Sequence, residues 1–260
     1  VHHALVSDVA FSPDGAQAFS SSWDGTLRVW DVARAQRRLE FEVDDAPIGV
    51  ISVSPNGRWI AAGSGFRRQL YDLPPSVNES PEKSPTALAE IEKVANAIGW
   101  NALIEKVPWP TWDDVYFLMQ SDRNGVRVWD LNTGEQDASL TSDNYPVASL
   151  AWMPDTSGLL YAAANRIYQW SPWQRSMDPN AWDAHERDIM GLSFIPNTHR
   201  AVSISIDHSV RLWDAATGAE VASCTLEHPH TALATSVDGK IVVGDEFGLV
   251  HVLSLKRRSE

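Results

Sequence analysis

One compound pattern returns from end to end of the chain, and it limits the available folds more than any other property. Its first copy begins with Val9-Ala10-Phe11-Ser12-Pro13-Asp14-Gly15, an alternating apolar segment closed by a turn signal. Ala18 to Ser22, Asp24-Gly25 and Thr26-Leu27-Arg28-Val29-Trp30-Asp31 follow. Each longer piece reads as a short strand and each join as a tight turn. The apolar residue two places before a proline recurs as Phe11, Val53, Trp152 and Phe194, with degenerate copies at Trp100 and Thr235. The residue closing the third strand recurs as Trp30, Tyr71, Trp129, Trp170, Trp213 and Leu253, at intervals of 41, 58, 41, 43 and 40 residues. A single sheet of such a repeat cannot cover both of its faces, so neighbouring copies must stack.

The long interval holds two insertions. Residues 73–85 (LPPSVNESPEKSP) are rich in Pro, Ser and Glu and are expected to be exposed and poorly ordered. Residues 102–111 carry Pro108 and Pro110. Helical periodicity is scarce: residues 87–97 (ALAEIEKVANA) fit a short helix or an outer strand, and the strand keeps the repeat intact.

A repeat of about 40 to 45 residues with four short strands and a terminal Trp-Asp resembles the WD40 family of β-propellers. The dipeptide is complete at Trp30-Asp31, Trp129-Asp130 and Trp213-Asp214, preceded by Leu27-Arg28-Val29, Val126-Arg127-Val128 and Val210-Arg211-Leu212. The resemblance covers essentially the whole chain. It implies an all-β propeller with six visible blades of four short antiparallel strands, and leaves room for a seventh in the parent protein. The expected repeats are approximately 1–43, 44–93, 94–142, 143–184, 185–227 and 228–260. The last has no fourth strand of its own, so further chain upstream is expected.

The resemblance also implies a buried hydrogen-bond network in each blade: a His before the first strand, a Ser or Thr in the second, an Asp in the next turn and the Trp of the third. Blade one offers His2, Ser20 or Ser22, Asp24 and Trp30; blade five offers His185, Ser203 or Ser205, Asp207 and Trp213. Elsewhere the set decays, with Tyr71 for Trp in blade two, Ala164 for Asp in blade four, and Phe247 and Leu253 for Asp and Trp in blade six.

Composition removes several functions. With 21 Lys plus Arg against 34 Asp plus Glu and a formal charge of −13, the chain has the wrong sign for gripping phosphate backbones. No apolar run approaches the roughly 18 to 20 residues a membrane helix needs. One cysteine, Cys224, cannot form an internal disulfide. A cytoplasmic protein, with no membrane or nucleic-acid partner, is expected.

Candidate chemistry is sparse. Ser, His and Asp on one blade invite a hydrolase reading, but these residues recur at network positions beside a Trp and lack a G-x-S-x-G elbow. His228-Pro229-His230 and His2-His3 lack a third ligand at metal spacing. Gly63-Ser64-Gly65 lacks the rest of a phosphate loop and reads as a tight turn. Cys224, in the strand-like run Val221 to Leu226, reads as a small buried hydrophobe. No enzyme activity, metal or cofactor is expected.

Function is expected instead on the face formed by the turns between second and third strands. Trp23, Phe66, Arg67, Arg123, Arg166, His208 and Phe247 are the candidate partner-binding residues there. Aromatic and Arg side chains supply much contact area or many donors for few rotamers lost. The expected function is a protein-interaction scaffold or sensor, binding a protein partner or upstream domains of its own chain. The ending from Ile241 to Leu255 resembles the last blade of the WD40 modules that close STAND-type signalling NTPases. The alternative is a small-molecule or anion site in the channel, lined by Arg67, Arg123 and Arg166.

Overall fold

The computed structural model describes residues 2–42, 47–64, 124–141, 145–174 and 179–255. Nineteen strands form five antiparallel sheets among them. The first sheet is β1 (Val6–Phe11), β2 (Gln17–Ser22), β3 (Thr26–Asp31) and β4 (Gln36–Glu42) in chain order. The second is β5 (Ile48–Val53), β6 (Trp59–Ser64), β7 (Gly125–Asp130) and β8 (Gln136–Thr141). The third is β9 (Val147–Trp152), β10 (Leu159–Ala163), β11 (Arg166–Trp170) and β12 (Asn180–Asp183). The fourth is β13 (Ile189–Phe194), β14 (Arg200–Ser205), β15 (Ser209–Asp214) and β16 (Ala219–Thr225). The fifth has three strands, β17 (His230–Thr235), β18 (Lys240–Asp245) and β19 (Val250–Ser254).

Two side-chain devices set the turns. The aspartate of each complete Trp-Asp pair caps the turn into the fourth strand: Asp31 Oδ1 accepts from the Arg34 amide at 2.8 Å, Asp130 Oδ1 from Asn132 at 2.7 Å and Asp214 Oδ1 from Ala216 at 3.0 Å. Asx turns of this kind explain why Asp follows Trp in the repeat. The turns between first and second strands each place one residue in the left-handed region. Gly15 and Gly57 fill it in two sheets, but Thr156 and Asn197 occupy it in the third and fourth, both at φ 59°. A β-branched residue is costly at that φ, so Thr156→Gly is expected to raise stability by about 0.5–1 kcal/mol once the extra freedom of unfolded glycine is subtracted. Urea denaturation that shows no gain would refute the strain.

The sheets stack in sequence order through their first strands, β1 on β5, β5 on β9, β9 on β13 and β13 on β17. Each junction has an apolar layer. Phe19, Leu27, Val29 and Phe41 of the first sheet meet Ile51, Ile60, Ala62 and Trp129 of the second. Val202, Ile204, Val210 and Leu212 of the fourth meet Ile241 and Val243 of the fifth. Polar side chains bridge the same junctions: Asp8 accepts from the Ile51 amide at 3.0 Å, Ser149 from Leu192 at 3.0 Å, and Thr235 donates to the Phe194 carbonyl at 2.8 Å. First strands are sheet edges, and these bonds satisfy edge groups that burial would otherwise leave unpaired.

The repeat boundaries need one correction. The expected division between 44–93 and 94–142 falls inside a single sheet, because β7 pairs directly with β6, Ile60 opposite Trp129. The free edge of β6 accepts one partner strand, and Val126 and Val128 place the buried side chains there that Leu27 and Val29 place in the first sheet. Five sheets are thus described where six repeats were counted. Tyr71 and the expected insertion 73–85 lie outside the described residues. Gly63 is strand rather than turn: a Cβ there would sit 2.7 Å from Val147 Cγ1, so its bareness lets the third sheet approach the second. Cys224 is exposed on β16, the outer edge of its sheet, and not buried.

Candidate functional site

Two of the expected networks are assembled, and in both the structure selects one serine of each pair. In the fourth sheet Trp213 Nε1 donates to Ser203 Oγ at 2.8 Å, and Ser203 lies 2.6 Å from His185 Nε2. His185 Nδ1 lies 3.0 Å from Asp207 Oδ2. In the first sheet Trp30 Nε1 donates to Ser20 Oγ at 2.9 Å, Ser20 lies 2.7 Å from His2 Nε2, and His2 Nδ1 faces Asp24 Oδ2 at 3.3 Å. The donors fix the tautomer. Each serine already accepts from an indole, so its proton goes to Nε2 and the imidazole carries its own proton on Nδ1, toward the carboxylate. Ser22 and Ser205 have another task, accepting the Asp24 and Asp207 amides at 3.1 and 3.0 Å to shape the turn.

The sequence reading missed one member of each network. Thr26 and Ser209, two residues after the aspartate, donate to Asp24 Oδ1 and Asp207 Oδ1 at 2.6 Å and meet the histidine Nδ1 at 3.0 and 2.9 Å. The shared hydroxyl in Asp24-Gly25-Thr26 and Asp207-His208-Ser209 is the signal that could have found them.

Burial opposes the charge on Asp24, yet the Thr26 hydroxyl, the His3 and Thr26 amides and His2 outweigh it and hold the carboxyl down at about 2. Asp207 is likewise held at about 2 against burial, by the side chain and amide of Ser209, the Glu186 amide and His185. Burial lowers His185 and His2, outweighing the aspartates that favour their protonation. Both effects act against acid. An imidazole kept neutral by the fold takes its proton in the unfolded chain, so stability drops as pH falls below about 6.5. The carboxylate contribution is complete above the ordinary value near 4 and is lost as pH falls toward 2. Thermal unfolding in about 0.3 M salt, which screens the general repulsion of an acidic chain, should show a Tm that declines below pH 6.5 and again below pH 4. A Tm that rises on going to pH 5 would contradict these shifts.

The arrangement resembles a catalytic triad in composition only. Ser203 is fully buried, its oxygen is engaged by an indole N–H, and a nucleophile must reach its substrate. Among the described residues no group of three or more His, Cys, Asp or Glu could hold a metal ion, and no helix is long and apolar enough to cross a membrane.

Of the candidate partner-binding residues, Phe66, Arg67 and Arg123 lie outside the described residues. Trp23, His208 and Phe247 sit in turns from second to third strand, and Arg166 is the first residue of β11 after such a turn. Two of them flank the segment before β17: Phe247, 68% exposed, packs its ring 4.4 Å from that of His228. His208 Nδ1 lies 3.1 Å from the Glu227 carbonyl beside that pair. Trp23 is half-buried at the opposite end of the sheet series. Arg166 Nε lies 3.1 Å from Asp183 Oδ1 on β12, the outermost strand of its sheet.

Repeated antiparallel sheets stacked through their first strands, three of them carrying Trp-Asp and two the His-Ser-Trp-Asp network, have the architecture of WD40-type β-propeller blades. The comparisons agree. The family model described as "WD domain, G-beta repeat" matches residues 1–31 and 179–214, the two stretches with a complete network. The chain is 24% identical over 98% of its length to an intraflagellar transport protein 80 homolog of Rattus norvegicus, and it spans 31% of that protein. It is 23% identical over 93% of its length to a guanine nucleotide-binding protein subunit beta of Solanum tuberosum, spanning 66% of it. A solved structure titled "Structure of U3-55K" superposes with a TM-score of 0.68 at 12% identity, over 99% of this chain and 63% of that one.

Proposed function

We propose that this chain is a non-enzymatic platform that binds a protein partner through the turns between second and third strands, as part of a larger cytoplasmic multidomain protein. The observation that carries the reading is how the polar groups are used. The His-Ser-Asp sets that could do chemistry are consumed inside the sheets, whereas the turn face presents Phe247 over His228 with His208 alongside. The relatives support a role in assemblies, since an intraflagellar transport protein, a G-protein β subunit and the transport protein SEC31 of Chaetomium globosum share the repeat. A sensor module that restrains an NTPase core, suggested by the last repeat, is a narrower form of the same role.

Affinity capture with the chain, run beside a folded variant in which Trp23, His208 and Phe247 are alanine, tests this. A protein retained by the wild type and lost by the variant places function on that face. Equal retention by both moves it elsewhere. The channel-anion alternative required Arg67, Arg123 and Arg166 to converge; the described member, Arg166, is ion-paired at the outer edge instead.

A further inference from the structure

The first residue of the first strand is aliphatic and 0% exposed in the second, third and fourth sheets: Ile48, Val147 and Ile189. In the fifth sheet the register sets His230 opposite Asp245 as Ile189 is set opposite Ser205, so a histidine takes the aliphatic position, and it too is fully buried. Its Nε2–H donates to the His208 carbonyl at 3.0 Å across the junction with the fourth sheet. Its Nδ1 is buried with no hydrogen-bond partner. His2 and His185 each aim Nδ1 at a carboxylate; His230 has nothing there.

The charged and titratable neighbours explain why a second proton has no place. His208 faces it from the turn between β14 and β15, His251 from β19 and Asp245 from β18. Glu227 and His228 precede it on its own approach, and Glu246 lies in the turn after β18, its amide bonded to the Pro229 carbonyl. Asp245, the nearby carboxylate, already accepts from the Phe247 and Leu249 amides at 3.0 and 2.8 Å and faces His251 at 3.4 Å. A proton on Nδ1 would add a buried charge beside two other imidazoles with no acceptor of its own. The ring can meet that demand only by reaching water. The fifth sheet can yield: among the described residues it has three strands, Val250 and Val252 on its far face are 68% and 61% exposed, and the fourth sheet holds it from one side.

We propose that His230 is an acid-sensitive pin, and that its protonation releases the fifth sheet from the fourth, uncovering Val202, Ile204, Val210 and Leu212. Burial also holds this imidazole below its ordinary range, which sets the release on the acid side of that range. The test is hydrogen exchange by mass spectrometry at pH 7.5 and 5.5, converted to protection factors, on the wild type and on His230→Ile, the residue of the matching position. Peptides from 230–254 are compared with peptides from 48–64, which share the global loss of stability but not the pin. The expected result is at least a tenfold larger loss of protection in 230–254 at pH 5.5 for the wild type, absent in the variant. An equal loss in the variant, or none in the wild type, overturns the proposal. An NMR titration of the wild-type histidines guards against a variant that does not fold: His230 titrating while 230–254 stays protected would also overturn it.

Discussion

Trp213→Ala is expected to lower stability by about 4 kcal/mol, within the range found when buried aromatic side chains are truncated. Trp213 is 3% exposed and packs with Ala151, Leu160 and Phe194, so its loss opens a cavity between the third and fourth sheets. It also leaves the buried Ser203 oxygen without its indole donor. Trp213→Phe separates the two contributions, since it keeps most of the apolar volume and removes the N–H; a loss of about 1–2 kcal/mol is expected for the hydrogen bond and its orphaned partner. Chemical denaturation monitored by circular dichroism reads both. A loss under 1 kcal/mol for Trp213→Ala would mean that the third-strand tryptophan does not hold adjacent sheets together.

That tryptophan was legible in the sequence because the repeat makes local geometry redundant. Pro-Asp-Gly at 13–15 gives a turn, alternation gives the buried face, and six residues from Asp207 to Trp213 match six from Asp24 to Trp30. The network histidines followed from the same registration, nine residues ahead of Phe11 and Phe194. Strand partnership did not follow. Trp59–Ser64 reads as a second strand wherever its third strand comes from, and alternation carries no information about which later segment takes its edge. The third strand arrives at Gly125, after the stretch that broke the period. Phe247 and His208 could be placed on one kind of turn, but not on either side of the segment Glu227-His228, since that depends on how the fourth and fifth sheets stack. His230 was visible only as one member of a His-Pro-His run. Its significance comes from register, which sets it level with Ile48 and Ile189.

Phe194→Ala and Phe11→Ala form the second prediction. The two residues hold the same place in their repeats, the last of the first strand, with Phe11 opposite Ala18 and Phe194 opposite Ala201. Phe194 is 9% exposed against the third sheet, whereas Phe11 is 64% exposed; two residues earlier, Leu192 is 6% exposed and Val9 68%. The fourth sheet presents this face to its predecessor, and among the described residues the same face of the first sheet is bare. The far face of the fifth sheet is bare in the opposite sense among the described residues. Val250 and Val252 there match Val210 and Leu212, each 4% exposed. Stability gained from an apolar side chain follows the area it removes from water, so Phe194→Ala should cost about 3–5 kcal/mol and Phe11→Ala less than about 0.5 kcal/mol. Equal losses at the two positions would mean that another surface covers Phe11 in solution. If they differ as expected, the exposed faces of the first and fifth sheets carry the apolar chemistry that the intervening sheets bury.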